Sequence, residues 1–178
     1  MSRLLLHICC APCLCYPHQS LSDEKAGITG FWFNPNIHPY REYQARLGSV
    51  RDFAQNHGLE MIYDDSYPLE ENVSLLLKDR CRACYSIRLE AAAREAAQRG
   101  YDGFSTTLLY SIYQKHDLIR GLGAEIGREH GVKFIYRDFR KGWEEGRTKA
   151  MELDLYRQKY CGCIFSERDR YMKTKKKI

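Results

Sequence analysis

With 178 residues, 44% of them hydrophobic and 29% charged, the chain has the size and composition of one compact globular domain, not of a fibrous or largely disordered protein. Its mean hydropathy is −0.55, no stretch approaches the roughly 20 apolar residues of a membrane span, and the opening apolar run from Leu4 to Cys9 is too short for a secretory h-region, so the expectation is a cytoplasmic protein with no membrane partner. Of the formal charge of +5, residues 166–178 carry +4; this basic tail suits either a phosphate backbone or plain solvation, and residues 1–165 read as one nearly neutral α/β domain.

Residues 3–8 (RLLLHI) read as a short buried strand, and residues 12–25 as a helix with Pro12 in its first turn. Residues 28–33 (ITGFWF), β-branched and aromatic, form a second strand that ends at the turn Asn34-Pro35-Asn36. From Pro39 to His57, Tyr43, Leu47, Val50 and Phe53 recur at helical spacing, and Gly58 closes the helix. Residues 59–63 form a third strand, 68–77 a short helix, and 82–99 a long alanine-rich helix closed by Gly100. Then come a fourth strand at 103–107, a helix at 114–130 closed by Gly131, a fifth strand at 132–136 and a last helix at 143–157.

Strands alternating with helices at this spacing imply an α/β fold with a single doubly wound, mostly parallel sheet. The common order 3-2-1-4-5 puts the ends of strands one and four at the switch point, the usual ligand crevice of such sheets. Cys9-Cys10 and Thr106-Thr107 occupy those two ends. A metal site is therefore expected at the C-terminal ends of the strands.

The eight cysteines fall into three groups: Cys9, Cys10, Cys13 and Cys15; Cys81 and Cys84; Cys161 and Cys163. In a reducing compartment such groups bind metal or do thiol redox chemistry. The loop after strand one, Cys9-Cys10-Ala11-Pro12-Cys13, has no glycine, and Pro12 removes one of the N–H groups a phosphate cradle needs. Cys81-Arg82-Ala83-Cys84 sets two thiols on one side of the first turn of a helix, where the dipole favours thiolates. Spacing alone leaves iron–sulfur, zinc and dithiol redox chemistry open, though a zinc ribbon would need a second CxxC. Cys9 and Cys10, neighbours at a strand end, are expected to point apart and to serve different metals. Cys81, Cys84, one of Cys9 and Cys10, and one of Cys161 and Cys163 would complete a four-thiolate cluster. The other member of each pair, with Cys13, would hold a single metal with an open position. Cys15 is expected to be a bystander.

Asn34, Asn36 and His38 follow strand two at the same sheet edge, as ligand-binding groups or as a turn. Thr106, Thr107, Ser111, Tyr113, Gln114 and Lys115 line the loop after strand four, a set suited to a polar ring or nucleobase, with Ser111 also a candidate helix cap. Arg157, Gln158 and Tyr160 precede Cys161 and fall beside any metal there. His7, inside strand one, is expected to be a satisfied core histidine. Asp138 ends strand five, as a proton donor, a metal ligand or a turn residue.

Taken in order, HICCAPC, FNPNIHPYREYQAR, RCRACYSIRLEAAA, FSTTLLYSIYQ, DFRKGW and YRQKYCGCIFS resemble the QueH-type epoxyqueuosine reductase family from His7 to Ser166. A lone CxxC would be a weak sign; CCAPC, NPNIHP, TTL and YRQ-x-YCGC together are specific. The resemblance implies a Rossmann-like, nucleotide-alpha-hydrolase-like fold and reductive deoxygenation of epoxyqueuosine to queuosine in a tRNA anticodon, independent of cobalamin. It implies a 4Fe–4S cluster, an additional mononuclear iron, an external electron donor and tRNA, not DNA, as the partner. Under it, Cys9, Cys10, Cys13, Cys81, Cys84, Cys161 and Cys163 are metal ligands, although Cys13 stands where some relatives carry a carboxylate. Cys13, Asp138 and Tyr113 are its catalytic candidates. Asn34, Asn36, His38, Thr106, Thr107, Gln114, Arg157 and Gln158 are its substrate-binding candidates, and Lys173 to Lys177 would meet tRNA phosphates. The competing readings are a cluster-dependent tRNA sulfur-transfer enzyme, which would need the missing phosphate loop, and a non-enzymatic zinc-binding RNA module.

Overall fold

The computed structural model describes residues 3–172. Five strands, β1 (Arg3–His7), β2 (Gly27–Trp32), β3 (Glu60–Tyr63), β4 (Gly103–Thr106) and β5 (Lys133–Phe134), form one sheet in the order β3-β2-β1-β4-β5. Every neighbouring pair is parallel. Order and direction are those the alternation of strands and helices implies.

The helices are α1 (Ala11–Asp23), α2 (Tyr40–His57), α3 (Leu69–Leu76), α4 (Arg80–Gln98), α5 (His116–Glu129), α6 (Trp143–Glu152) and α7 (Ile164–Tyr171). α1 packs against α2 and α6, while α4 packs against α3 and α5, so both faces of the sheet are covered. That is why β1 reads as an unbroken apolar run: Leu4, Leu5 and Leu6 are all buried. They share the core with Ile8, Phe31, Trp32 and Phe104. The expected glycine stops are present: Gly58, Gly100 and Gly131 have φ of 61°, 67° and 66°, a left-handed conformation that costs glycine little. Among the described residues no helix is long and apolar enough to cross a membrane.

Two departures from the sequence reading matter for the site. α6 ends at Glu152, not at residue 157, because Asp154 turns left-handed (φ 48°) and the Leu155 N–H reaches back to the Ala150 carbonyl at 3.1 Å. No glycine or proline marks that stop; Asp is one of the few other residues that tolerates the conformation. The chain is thereby released early, and residues 155–163 run as loop, carrying Gln158, Cys161 and Cys163. Second, α7 starts directly after Cys163, where the sequence suggested no helix, and carries helical structure into the basic tail as far as Tyr171.

Candidate metal centre

β1 ends at His7, so the strand's alternation of side chains stops there. Cys9 lies in a bend, and Cys10 is the N-cap of α1 with extended backbone (φ −173°, ψ 161°). Cys13 sits in the first turn of α1. The three Sγ atoms, all buried, lie within 4.8 Å of one another, with Cys9 Sγ and Cys10 Sγ 3.8 Å apart. The expected divergence of Cys9 and Cys10 is therefore corrected: they converge, because a bend and a helix cap, not a strand, carry them. A tetrahedral ion with metal–sulfur bonds of about 2.3 Å has ligand edges of roughly 3.8 Å, so this spacing fits thiolates sharing one ion. The donor set is soft, as iron and zinc prefer.

The surroundings favour negative charge on Cys9 over its two neighbours. The Thr107 hydroxyl accepts from the Cys9 N–H at 3.0 Å and donates to Cys9 Sγ at 3.3 Å. Hydrogen bonds from the Cys10 and Cys13 thiols, opposed by burial and aided by Thr107, hold the Cys9 thiol well below its ordinary pKa. Burial pushes Cys10 up, and hydrogen bonding to Cys10 and Cys9 pushes Cys13 up. Gln158 Nε2 donates to Cys10 Sγ at 2.9 Å. Cys15 stays apart, its thiol turned to the Ala11 carbonyl at 3.6 Å.

The remaining cysteines lie on α4 and on the loop that leads into α7. Cys81 and Cys84 lie in the first turns of α4, and Cys84 packs with Cys163 and Leu76. Burial lifts the Cys84 pKa to about 11, with charge at Cys161, Cys163 and Cys81 raising it further and Arg88 opposing. Among the described residues the converging thiol group is Cys9, Cys10 and Cys13, so Cys9 and Cys10 stand together.

Arg46 ties α2 to the loop that carries Cys161. Buried on α2, it is held by Glu42 through Nε at 2.8 Å and donates Nη1 to the Cys161 carbonyl at 3.1 Å and Nη2 to the Tyr160 carbonyl at 3.0 Å. The His38 N–H donates to the Gly162 carbonyl at 2.7 Å, and the Tyr160 hydroxyl to the His38 carbonyl. Gly162 has φ 115°, and a Cβ there would stand 3.1 Å from both Arg46 Nη1 and Ile37 Cγ1. Sequence reasoning did not single out Arg46 and Glu42, although both lie within FNPNIHPYREYQAR.

Of the residues the sequence singled out, several serve the scaffold. His7 is satisfied, Nδ1 to Thr106 Oγ1 at 2.9 Å and Nε2 to the Phe33 carbonyl at 3.2 Å, and burial lowers its pKa to about 4. Thr106 Oγ1 also caps Leu108 N, so it is engaged within the fold. Gln114 Oε1 accepts from the Tyr85 hydroxyl at 2.7 Å, next to Cys84. Asn34 Nδ2 donates to the Ile8 carbonyl at 2.9 Å. Its Oδ1, Asn36 Oδ1, both ring nitrogens of His38 and Gln158 Oε1 are buried without a protein partner. Burial lowers the His38 pKa, leaving a neutral ring.

Others lie at the rim or beyond it. Tyr113 is 80% exposed, its ring edge-on to Trp143 at 5.8 Å, and Trp143 leans on buried Tyr110 at 5.1 Å. Arg157 is exposed. Asp138 acts here as the turn residue that was one of its expected roles: its carboxylate caps Arg140 N and pairs with the Arg140 guanidinium, which holds its pKa at about 2. A carboxylate so held does not deliver protons near neutrality. Lys173 to Lys177 lie outside the described residues.

The family described as "Epoxyqueuosine reductase QueH" matches residues 4–169. A protein of that name from Dehalococcoides mccartyi is 41% identical over 174 residues, 96% of each chain. Its namesake from Thermotoga maritima is 38% identical over 179 residues, 93% of this chain and 91% of the relative. One from Staphylococcus epidermidis is 33% identical over 92% of this chain and 76% of the relative. With the family matched across nearly the whole chain, the cysteine groups included, the chain belongs to the epoxyqueuosine reductase QueH family.

Proposed function

We propose that the chain is a cytoplasmic tRNA-modifying enzyme that reduces epoxyqueuosine in the anticodon to queuosine, the last step in making that base. Two electrons and two protons enter, both C–O bonds of the epoxide break, a C=C bond forms and water leaves. The observation that carries this reading is the buried, converging thiol triad Cys9, Cys10 and Cys13, with Gln158 on Cys10 Sγ; the packing of Cys84 on Cys163 supports it. Cys81, Cys84, Cys161 and Cys163 would hold a 4Fe–4S cluster, and Cys9, Cys10 and Cys13 a mononuclear iron. When bound, the cluster supplies electrons singly and the single iron acts as a Lewis acid toward the epoxide oxygen. An external reductant recharges the site, and no cobalamin takes part.

The protein's own groups bind and orient. Asn34 Oδ1, Asn36 Oδ1 and Gln158 Oε1 are buried acceptors whose unmet capacity suits hydroxyl and amine donors of a polar ring. The neutral His38 ring can donate from one nitrogen and accept at the other. Tyr113, braced by Trp143 at the rim, offers a nucleobase a stacking face. Burial of Cys9, Cys10 and Cys13 keeps bulk water from the reacting centre.

The test is iron, zinc and sulfide analysis of protein purified without oxygen, followed by reaction with epoxyqueuosine-containing tRNA and dithionite. Roughly five iron to four sulfide, with queuosine formed in the absence of cobalamin, is the expected result. Zinc without sulfide, or no queuosine from fully loaded protein, overturns the reading.

A further inference from the structure

Among the described residues two guanidinium groups are buried, and they are treated differently. Arg46, 2% exposed, has the Glu42 carboxylate at 2.8 Å. Arg88, 3% exposed, has no carboxylate in ion-pair range among the described residues. One turn along α4 from Cys84, it reaches back and makes two hydrogen bonds to that residue: Nη2 to Cys84 Sγ at 2.9 Å and Nε to the Cys84 carbonyl at 2.9 Å. A buried cation without an anion is among the costliest arrangements in a protein interior. Of its hydrogen-bond partners among the described residues, the sulfur is the one that can carry the balancing charge.

We propose that Arg88 is a positioning residue, the counter-charge of the Cys84 cluster ligand, which fixes that sulfur and raises the reduction potential of the cluster. The inference rests on the reading that Cys84 is a cluster ligand. A 4Fe–4S centre held by four thiolates is an anion in both redox states and gains one negative charge on reduction. A guanidinium donating to one of its sulfurs stabilises the reduced state more than the oxidised one. The two-point grip on Sγ and the carbonyl of one residue also locks the Cys84 side chain. Lys, a point charge without the planar fork, can supply the charge but not the grip.

The experiment is a redox titration followed by electron paramagnetic resonance on wild-type protein, Arg88→Gln and Arg88→Lys, each assayed for iron and sulfide. We expect Arg88→Gln to keep its sulfide and to shift the midpoint to a more negative potential, with Arg88→Lys recovering part of the shift. A loaded Arg88→Gln protein with the wild-type midpoint overturns the proposal. Should the variants fail to load, wild-type protein carrying nitrogen-15 arginine decides. Its reduced cluster should show a nitrogen-15 hyperfine coupling, and the absence of that coupling overturns the proposal. A residue that merely braced the helix would change melting temperature and leave midpoint and coupling untouched. Wild-type protein that binds iron without sulfide would instead sink the cluster reading itself.

Discussion

Gln158 Nε2 stands 2.9 Å from Cys10 Sγ, across 148 positions of sequence. The early end of α6 makes this contact, by letting the chain double back over the thiol triad as loop. An amide donor at a ligand sulfur orients it and spreads its charge. Losing such a contact costs about 10- to 100-fold in metal affinity. Gln158→Ala should therefore weaken the single iron by that factor and leave sulfide content unchanged. Chelator competition under anaerobic conditions reads this as a fall in the ratio of iron to sulfide. Equal ratios in variant and wild type would remove Gln158 from the iron site.

Gly162→Ala should destabilise the loop that presents Cys161 and Cys163. The residue sits at φ 115° with Arg46 and Ile37 against the missing Cβ, and strain of this kind costs on the order of 1–3 kcal/mol. The expected outcome is a lower melting temperature together with reduced sulfide. A variant that melts and loads like the wild type would show that the loop relaxes freely.

Tyr113→Ala should raise KM for the tRNA substrate by about tenfold, with kcat within about twofold, because stacking on an exposed ring is worth roughly 1–3 kcal/mol. Tyr113→Phe keeps the ring and should behave as wild type. If both variants instead lose kcat, the hydroxyl takes part in the chemistry, as the sequence-based listing of Tyr113 among catalytic candidates would have it.

His7 makes the fold acid-sensitive. Its pKa is about 4 when folded, against 6.5 when unfolded, because burial opposes charging. Between those values the unfolded chain binds the proton more tightly, so the associated stability is complete above pH 6.5 and is lost as pH falls toward 4. The shift corresponds to about 3 kcal/mol. Denaturant unfolding of metal-free protein at pH 7 and pH 4.5 measures the loss, and nuclear magnetic resonance titration of the imidazole identifies its source. A His7 ring that titrates near 6.5 would contradict this.

Much of the fold was legible because its signals are local. Leu4–Leu6, the ITGFWF run and the glycine stops at 58, 100 and 131 each report their own backbone, and alternation then leaves few topologies. The stop at Asp154 was not legible, since only its environment selects a left-handed Asp. Nor was α7, which opens on Cys163 immediately after a glycine at φ 115°. In the site, CCAPC, CRAC and CGC announced thiol chemistry without assistance. The role of Asp138 was left open among three, because a carboxylate at a strand end looks alike whether it faces a substrate or the Arg140 two residues on.

By itself the sequence determined the α/β class, the strand order, the family and the identity of the soft donors. These follow from residue types, periodicity and ordered motifs. Only the tertiary structure decided which thiols meet. Cys9 and Cys10 join Cys13 because a bend and a helix cap redirect two neighbouring side chains. Cys84 meets Cys163 because an early helix end brings distant segments together. It also decided which arginines are buried. Arg46 and Arg88 look like surface residues along their helices, and become internal cations only when the packed loop and sheet remove the water around them. Side-chain direction and desolvation depend on neighbours that lie far apart in the chain, and no local pattern encodes them.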